Sequence, residues 1–327
     1  MWKSTYYTGH KMQINRIILA PMEGVLDYHV REILTEINKF DYCVTEFVRV
    51  TNHKLSNRTF FRLCPELHND GKTISGTPVR IQLLGQSPEW VAENAVKAIE
   101  LGSYGVDINF GCPAKTVVGN HGGAYLLQYP NQIYNIVNQV RTAIGSNPVL
   151  SVKIRLGWED KSRCYEIAKA IENAGANEIV IHGRTKIDGY KADKIDWSTI
   201  GKIKQKLTIP VIANGEIFSI EDAYNCIKHS QTNDIMLGRG ILNIPNLANI
   251  IRYKHSSLIW QEVIKILLSY AMTAIDDVKP LYHSARIKQW LAYLKQHYPE
   301  ASVLLPEIRQ LKSQIEICDF LKTKLNN

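Results

Sequence analysis

From Val149-Leu-Ser-Val-Lys-Ile-Arg155 the chain passes through a helical pattern over Tyr165–Ala174 to Glu178-Ile-Val-Ile-His182. Two short β-branched runs bracket one amphipathic segment, the signature of a strand–helix–strand unit whose strands run parallel. The unit recurs outward in both directions. Similar runs occupy Ile17–Met22, Tyr42–Phe47, Val79–Leu84, Gly105–Asn109, Pro210–Asn214 and Asp234–Gly238, with helical patterns such as Glu89–Glu100 and Ile220–His229 between them. Eight strands closing near residue 255 predict an α/β protein built on a (β/α)8 TIM barrel, with a doubly wound open sheet as the competing fold.

After Tyr253 the strand pattern stops. Trp260–Ala274, Leu281–Gln296 and Leu304–Lys324 read as helices. The expected organisation is an N-terminal extension over 1–11, a barrel over 12–255 and a small all-helical domain over 256–327, joined at the polar stretch Lys254–Ser257. Arg49–Thr77 is long, polar and basic (Arg49, His53, Lys54, Arg58, Arg62) and reads as a substrate-facing insertion.

With 327 residues, 45% hydrophobic and 21% charged, the chain can bury a large core, which excludes a disordered protein. Its 39 Lys and Arg against 31 Asp and Glu, a formal charge of +8, suit a polyanionic partner without proving one. Six cysteines without a CxxC pair read as reduced thiols, and no metal-ligand spacing is found. Met1–Gln13 lacks an apolar segment, and nowhere do about 18 apolar residues run together. A cytoplasmic protein without a leader or membrane partner is expected, and a monomer is the simplest state.

Polar residues end six of the eight runs: Glu46, Gln82, Asn109, Lys153 with Arg155, His182 and Asn214. In a barrel those ends face one mouth. Asn109-Phe-Gly-Cys-Pro113 turns tightly after the fourth strand and places Cys112 there, either as a small turn residue or as an acid, since a thiol of ordinary pKa about 8.5 keeps its proton at neutral pH. Lys153, inside an apolar strand, reads either as half of a buried ion pair or as the counter-charge of an anionic cofactor. His182 poses a similar choice. The seventh and eighth runs end in Ala213-Asn-Gly-Glu-Ile217 and Met236-Leu-Gly-Arg-Gly240, glycine-bearing loops before helices that suit a phosphate.

In the C-terminal region Ile287, Trp290, Leu291 and Leu294 form an apolar helix face, flanked by Lys288 and Lys295. Tyr282, Arg286, Gln289 and Tyr293 form a second stripe, either a solvated surface or arginine and tyrosine interleaved for RNA phosphates and bases. Residues 256–327 hold nine Lys and Arg against seven Asp and Glu, so any RNA surface there is a local patch.

Taken together these motifs resemble the tRNA-dihydrouridine synthases. The resemblance runs through Leu19-Ala-Pro-Met-Glu-Gly24, Gln82-Leu-Leu-Gly85, Asn109–Pro113, Lys153–Gly157, His182–Thr185, Asn214–Glu216 and Gly238–Gly240 into Leu281–Tyr293, nearly the whole chain. Ala-Pro-Met-Glu-Gly-Val-Leu-Asp27 and Ala285-Arg-Ile-Lys-Gln-Trp290 are similar to the C-type branch, whose target is uridine 16 of the tRNA D-loop. The resemblance implies FMN as cofactor, NADPH as reductant, and reduction of the uracil C5=C6 bond, with hydride delivered to C6 and Cys112 protonating C5. It further implies that Pro21, Met22, Glu23, Gln82, Lys153, His182, Asn214, Gly215, Glu216, Gly238 and Arg239 bind the flavin. Arg49, Asn109, Arg155, Tyr190, Arg286, Lys288, Tyr293 and Arg309 then meet tRNA. Two features depart from the family pattern: Phe110 stands where many relatives carry a small residue or cysteine, and the first eleven residues precede the usual start, which makes Met12 a candidate initiator. A flavin oxidoreductase acting on a small molecule and a non-catalytic RNA-binding protein are the rival readings.

Overall fold

The computed structural model describes residues 14–273 and 280–325, the side chains at 280–283 apart. The N-terminal extension with Met12, and the side chain of Tyr282, lie outside the described part. Eight parallel strands follow the chain: β1 (Arg16–Leu19), β2 (Tyr42–Arg49), β3 (Val79–Leu84), β4 (Val106–Phe110), β5 (Leu150–Arg155), β6 (Glu178–His182), β7 (Val211–Asn214) and β8 (Asp234–Leu237). They close in that order, β8 pairing back onto β1. The open-sheet alternative is thereby excluded. Strand β1 stops at Leu19 rather than Met22, since Pro21 has no N–H for the ladder and the chain turns over 23–25 with Gly24 at φ +73°. Strand β2 runs on to Arg49 through an irregularity between Val44 and Phe47, which displaces Glu46 from the regular register.

Helices cover the outside because each carries one apolar face. In Pro88–Glu100, for example, Val91, Ala92, Ala95 and Ala98 are buried against the barrel. Phe110 is fully buried in this outer core, so its bulk serves packing. The barrel interior is layered. Ile18, Val44, Val180, Ile212 and Met236 form an apolar middle. Below it Glu178 receives hydrogen bonds from Arg16 (2.6 Å), Arg80 (2.6 Å) and the Tyr42 hydroxyl (2.7 Å), while Arg16 also pairs with Asp234 at 2.7 Å. This ionic plug closes the N-terminal end and leaves the C-terminal mouth for chemistry.

Two expectations need correction. Arg49–Thr77 is not one substrate-facing loop: it contains a helix, Asn57–Leu63, and a 3-10 turn, Pro65–Asn69. The fully buried Arg31–Glu66 pair (2.7 Å) fastens its second half to the barrel wall. Leu304–Lys324 is two helices, Pro299–Gln310 and Gln314–Leu325. Glu316 accepts the backbone N–H of Lys312 (2.8 Å) and Ser313 (2.9 Å), and Ser313 Oγ accepts that of Glu316 (3.2 Å), a reciprocal cap that starts a new helix. The other two C-terminal helices are Trp260–Met272 and Pro280–Leu294. Tyr270 ties them to the barrel by donating to Asp27 at 2.7 Å, whose other oxygen caps the helix Tyr28–Ile37 through Val30 N–H. No described helix is long and apolar enough to cross a membrane.

Candidate active site

Strand register builds a polar collar at the mouth. Asn109 of β4 lies beside Lys153 of β5, Arg155 beside His182 of β6, and His182 beside Asn214 of β7. The collar surrounds a cavity of about 740 Å³, within the range of small-molecule sites. Pro21, Met22 and Glu23 form one wall, Gln82 and Asn109 another, and Gly215, Glu216, Gly238 and Arg239 the side opposite, while Tyr293 from the helix Pro280–Leu294 reaches in from above.

A hydrogen-bond chain sets the Cys112 turn. Buried Asp107 receives Ser151 Oγ (2.5 Å) and Gln82 Nε2 (2.6 Å), and Gln82 Oε1 receives Asn109 Nδ2 (2.7 Å). Asn109 Oδ1 then accepts the N–H groups of Gly111 and Cys112, both at 2.9 Å, which folds the chain into an Asx-type turn. The oxygen of Asn109 is therefore committed to the turn. Only one of its amide N–H bonds remains for a ligand. Burial pushes the Cys112 thiol up, with Glu23 reinforcing and Arg155 and Arg49 opposing, so the sulfur holds its proton at neutral pH.

Lys153 donates to Asn214 Oδ1 at 2.9 Å and has no carboxylate partner among the described residues. Burial, then the charge of Arg155, lowers its pKa from 10.5 to about 8, so it stays largely cationic at neutral pH. The buried-ion-pair reading of Lys153 thus fails. His182 is held well below its ordinary pKa by burial and by Arg155 and Lys153, and its buried Nδ1 finds no partner among the described residues. Gly215 (φ +112°) packs beside that ring, where a Cβ would lie 3.1 Å from His182 Nε2. Glu23 is pushed up to about 7 by burial and by Glu46, against Arg286 and Arg49.

Arg155 is held by the carbonyls of Gly111, Thr185 and Gly189 at 2.9–3.0 Å, and Tyr190 stacks between it (5.0 Å) and Arg239 (4.8 Å). The carboxylate of Glu216 is occupied by Arg184 and, at 3.4 Å, Arg239. A phosphate here would meet backbone N–H groups and Arg239, not that side chain. Arg49, Arg286, Lys288 and Arg309 do not line the cavity. Arg49 reaches Thr116 O at 3.2 Å, and Arg286 lies 3.9 Å from Glu46. Lys288 donates to the carbonyls of Arg309 (3.2 Å) and Leu311 (2.5 Å) at the end of the helix Pro299–Gln310, while Arg309 is exposed. The sequence reading left Asp107, Ser151 and Arg184 without roles. The first two sit two residues before Asn109 and Lys153, so strand alternation alone turns them to the same interior.

A barrel mouth that gathers Lys153, Arg155 and Arg239 beside a proton-bearing thiol has the make-up of an enzyme active site. The family model for dihydrouridine synthase matches residues 18–327, and the chain belongs to that family of oxidoreductases. It is 54% identical over 302 residues to a tRNA-dihydrouridine(16) synthase of Yersinia pestis, covering 92% of this chain and 97% of that protein. A protein of the same name from Haemophilus influenzae is 51% identical over 311 residues, covering 95% and 99%. Among solved structures, a variant of NCR from Zymomonas mobilis superposes with a TM-score of 0.51 at 15% identity, over 75% of this chain and 88% of its own. 2-Naphthoyl-CoA reductase, in complex with 2-naphthoyl-CoA, gives 0.56 at 13%, over 72% and 50%. At that identity these two structures speak to the fold alone.

Proposed function

We propose that this chain is an FMN-dependent, NADPH-driven synthase that reduces the C5=C6 bond of uridine 16 in the tRNA D-loop to 5,6-dihydrouridine. One observation carries the reading: a protonated thiol, Cys112, opens into the same cavity as the Lys153 cation, which lacks an anionic partner among the described residues. The names of the relatives support position 16.

The residues present fit FMN. Among the described residues, buried His182 Nδ1 lacks a partner and Lys153 lacks an anion, and the loops after β7 and β8 offer Gly215, Gly238 and the Arg239 guanidinium to a phosphate. Lys153 and Gln82 would hold the flavin ring system, the Lys153 cation offsetting negative charge on it, and Pro21, Met22 and Glu23 would border it. When bound, FMN supplies the hydride for C6 of the uracil, with NADPH as the source of reducing equivalents. The uridine must leave the RNA stack to enter the mouth. Cys112 gives its Sγ proton to C5, and Arg155 beside it favours the thiolate that remains until solvent reprotonates it.

In the same reading 12–255 is the catalytic barrel and 256–327 the RNA-binding part. Arg49, Arg155, Tyr190, Arg286, Tyr293 and Arg309 meet tRNA, Asn109 with its remaining N–H meets the base, and Lys288 orders the helix end that presents Arg309. The enzyme acts as a cytoplasmic monomer. Position-resolved dihydrouridine mapping of tRNA from cells lacking the gene, then with it restored, tests the assignment. Loss confined to position 16 is expected. Loss elsewhere refutes the position, and intact dihydrouridine alongside turnover of free small enones by the purified protein refutes the reaction.

A further inference from the structure

The loops after β4, β5 and β6 carry a group of rings that the reaction itself does not use. His121 and Tyr125 lie 4.6 Å apart, Tyr125 and Tyr129 5.5 Å, and Tyr125 meets the edge of Trp158 at 5.8 Å. The Lys186 ammonium sits 4.2 Å above the Trp158 ring. Tyr129 is 45% exposed, and His121 is exposed with its backbone in the left-handed region (φ +57°). Left-handed non-glycine residues gather where geometry serves function.

This surface is fastened to the reaction loop. The carbonyl of Cys112 accepts the N–H of Ala124, one residue before Tyr125, at 3.0 Å, and Lys186 and Ile187 donate to the carbonyls of Gly157 and Trp158. Lys115, Lys186 and Lys191 have no ion pair among the described residues, and the ionised carboxylates of Asp160 and Asp188 are turned onto the N–H groups of Ser162 and Thr185 rather than onto these ammonium groups.

We propose that these rings and Lys186 form a stacking platform for an unpaired nucleobase and its phosphate, belonging to the same RNA whose uridine enters the cavity. The inference rests on the tRNA reading above and extends it to a surface outside the cavity. An enzyme that extrudes one nucleotide must hold those around it, and exposed rings beside an unpaired ammonium match a base face and a phosphate together.

Unmodified tRNA transcript is titrated into FMN-loaded enzyme at several salt concentrations, and dihydrouridine formation is followed under single-turnover conditions. Tyr129→Ala raises Kd roughly 5- to 160-fold, the range of one lost base–aromatic stack. The rate at saturating tRNA stays as in the wild type. Tyr129→Phe, which keeps the ring, retains wild-type affinity. Lys186→Gln weakens binding and flattens the slope of log Kd against log salt by about 0.7–0.9, one phosphate contact. Wild-type affinity and slope in Tyr129→Ala and Lys186→Gln, with normal dihydrouridine formation, overturn the platform alone. Equal loss in Tyr129→Phe and Tyr129→Ala also overturns stacking. Wild-type enzyme that neither binds nor modifies tRNA overturns the platform and the function together.

Discussion

Replacing Lys153 by methionine should make the flavin-free protein more stable while sharply weakening its cofactor affinity. Methionine keeps the unbranched stem and removes the ammonium. A fall of the lysine pKa from 10.5 to about 8, at about 1.36 kcal/mol per pH decade, means that the cation costs the fold about 3 kcal/mol. The variant leaves Asn214 Oδ1 without its 2.9 Å donor, a loss of about 1 kcal/mol, so the net gain at pH 7 is about 2 kcal/mol. The sign follows from linkage. Below pH 8 lysine is protonated in both states and the penalty is complete, whereas between pH 8 and 10.5 the unfolded chain binds more protons and the penalty fades as pH rises. Urea unfolding of flavin-free wild type and Lys153→Met at pH 7 and pH 10 measures the difference, in which other titrating groups cancel. A variant no more stable than wild type at pH 7, or a gap that does not narrow by pH 10, means that the buried ammonium carries no such penalty. Flavin binding followed by fluorescence should fall sharply, placing the residue where stability is traded for function.

Cys112→Ala should retain FMN and tRNA affinity and lose turnover by about 10²- to 10⁴-fold, the usual worth of a positioned acid; wild-type turnover would remove the thiol from the mechanism. Glu178→Ala strands Arg16 and Arg80 at the barrel floor and should cost about 3–5 kcal/mol in urea unfolding, with a shift under 1 kcal/mol refuting the plug. Glu172 is pushed up by burial, but hydrogen bonds from Lys169, Thr208 and Ile209 outweigh that and hold it down at about 2. Its contribution is present above pH 4.5 and lost as pH falls through about 2, so Glu172→Gln should flatten acid unfolding across that window and leave stability unchanged in slope near pH 7.

The barrel was legible because its signal is local. Period-two runs such as Val149–Arg155 and 3.6-period stretches such as Tyr165–Ala174 repeat eight times, and the only closed arrangement of eight parallel units is a cylinder. The collar was legible for the same reason, as polar residues at strand ends must share a mouth. The split at Leu311–Ser313 was not, since apolar periodicity continues on both sides of a junction made by the Glu316 carboxylate and a few N–H groups. Nor was the anchoring of Asn57–Asn69, which depends on Glu66 meeting Arg31 from 35 residues away.

The eight-strand barrel, the helical C-terminal region and the residue types gathered at one mouth follow from short-range periodicity and strand polarity. Which charges are paired and which are not emerges only in the folded chain. Glu216, read as a cofactor ligand, has its carboxylate occupied by Arg184 and Arg239, Lys288 caps a helix end, and Lys153 meets no carboxylate among the described residues. Pairing depends on angstrom-scale distances between residues far apart in the chain, and the cost of an unpaired charge depends on burial, so neither can be read along a single line of residues.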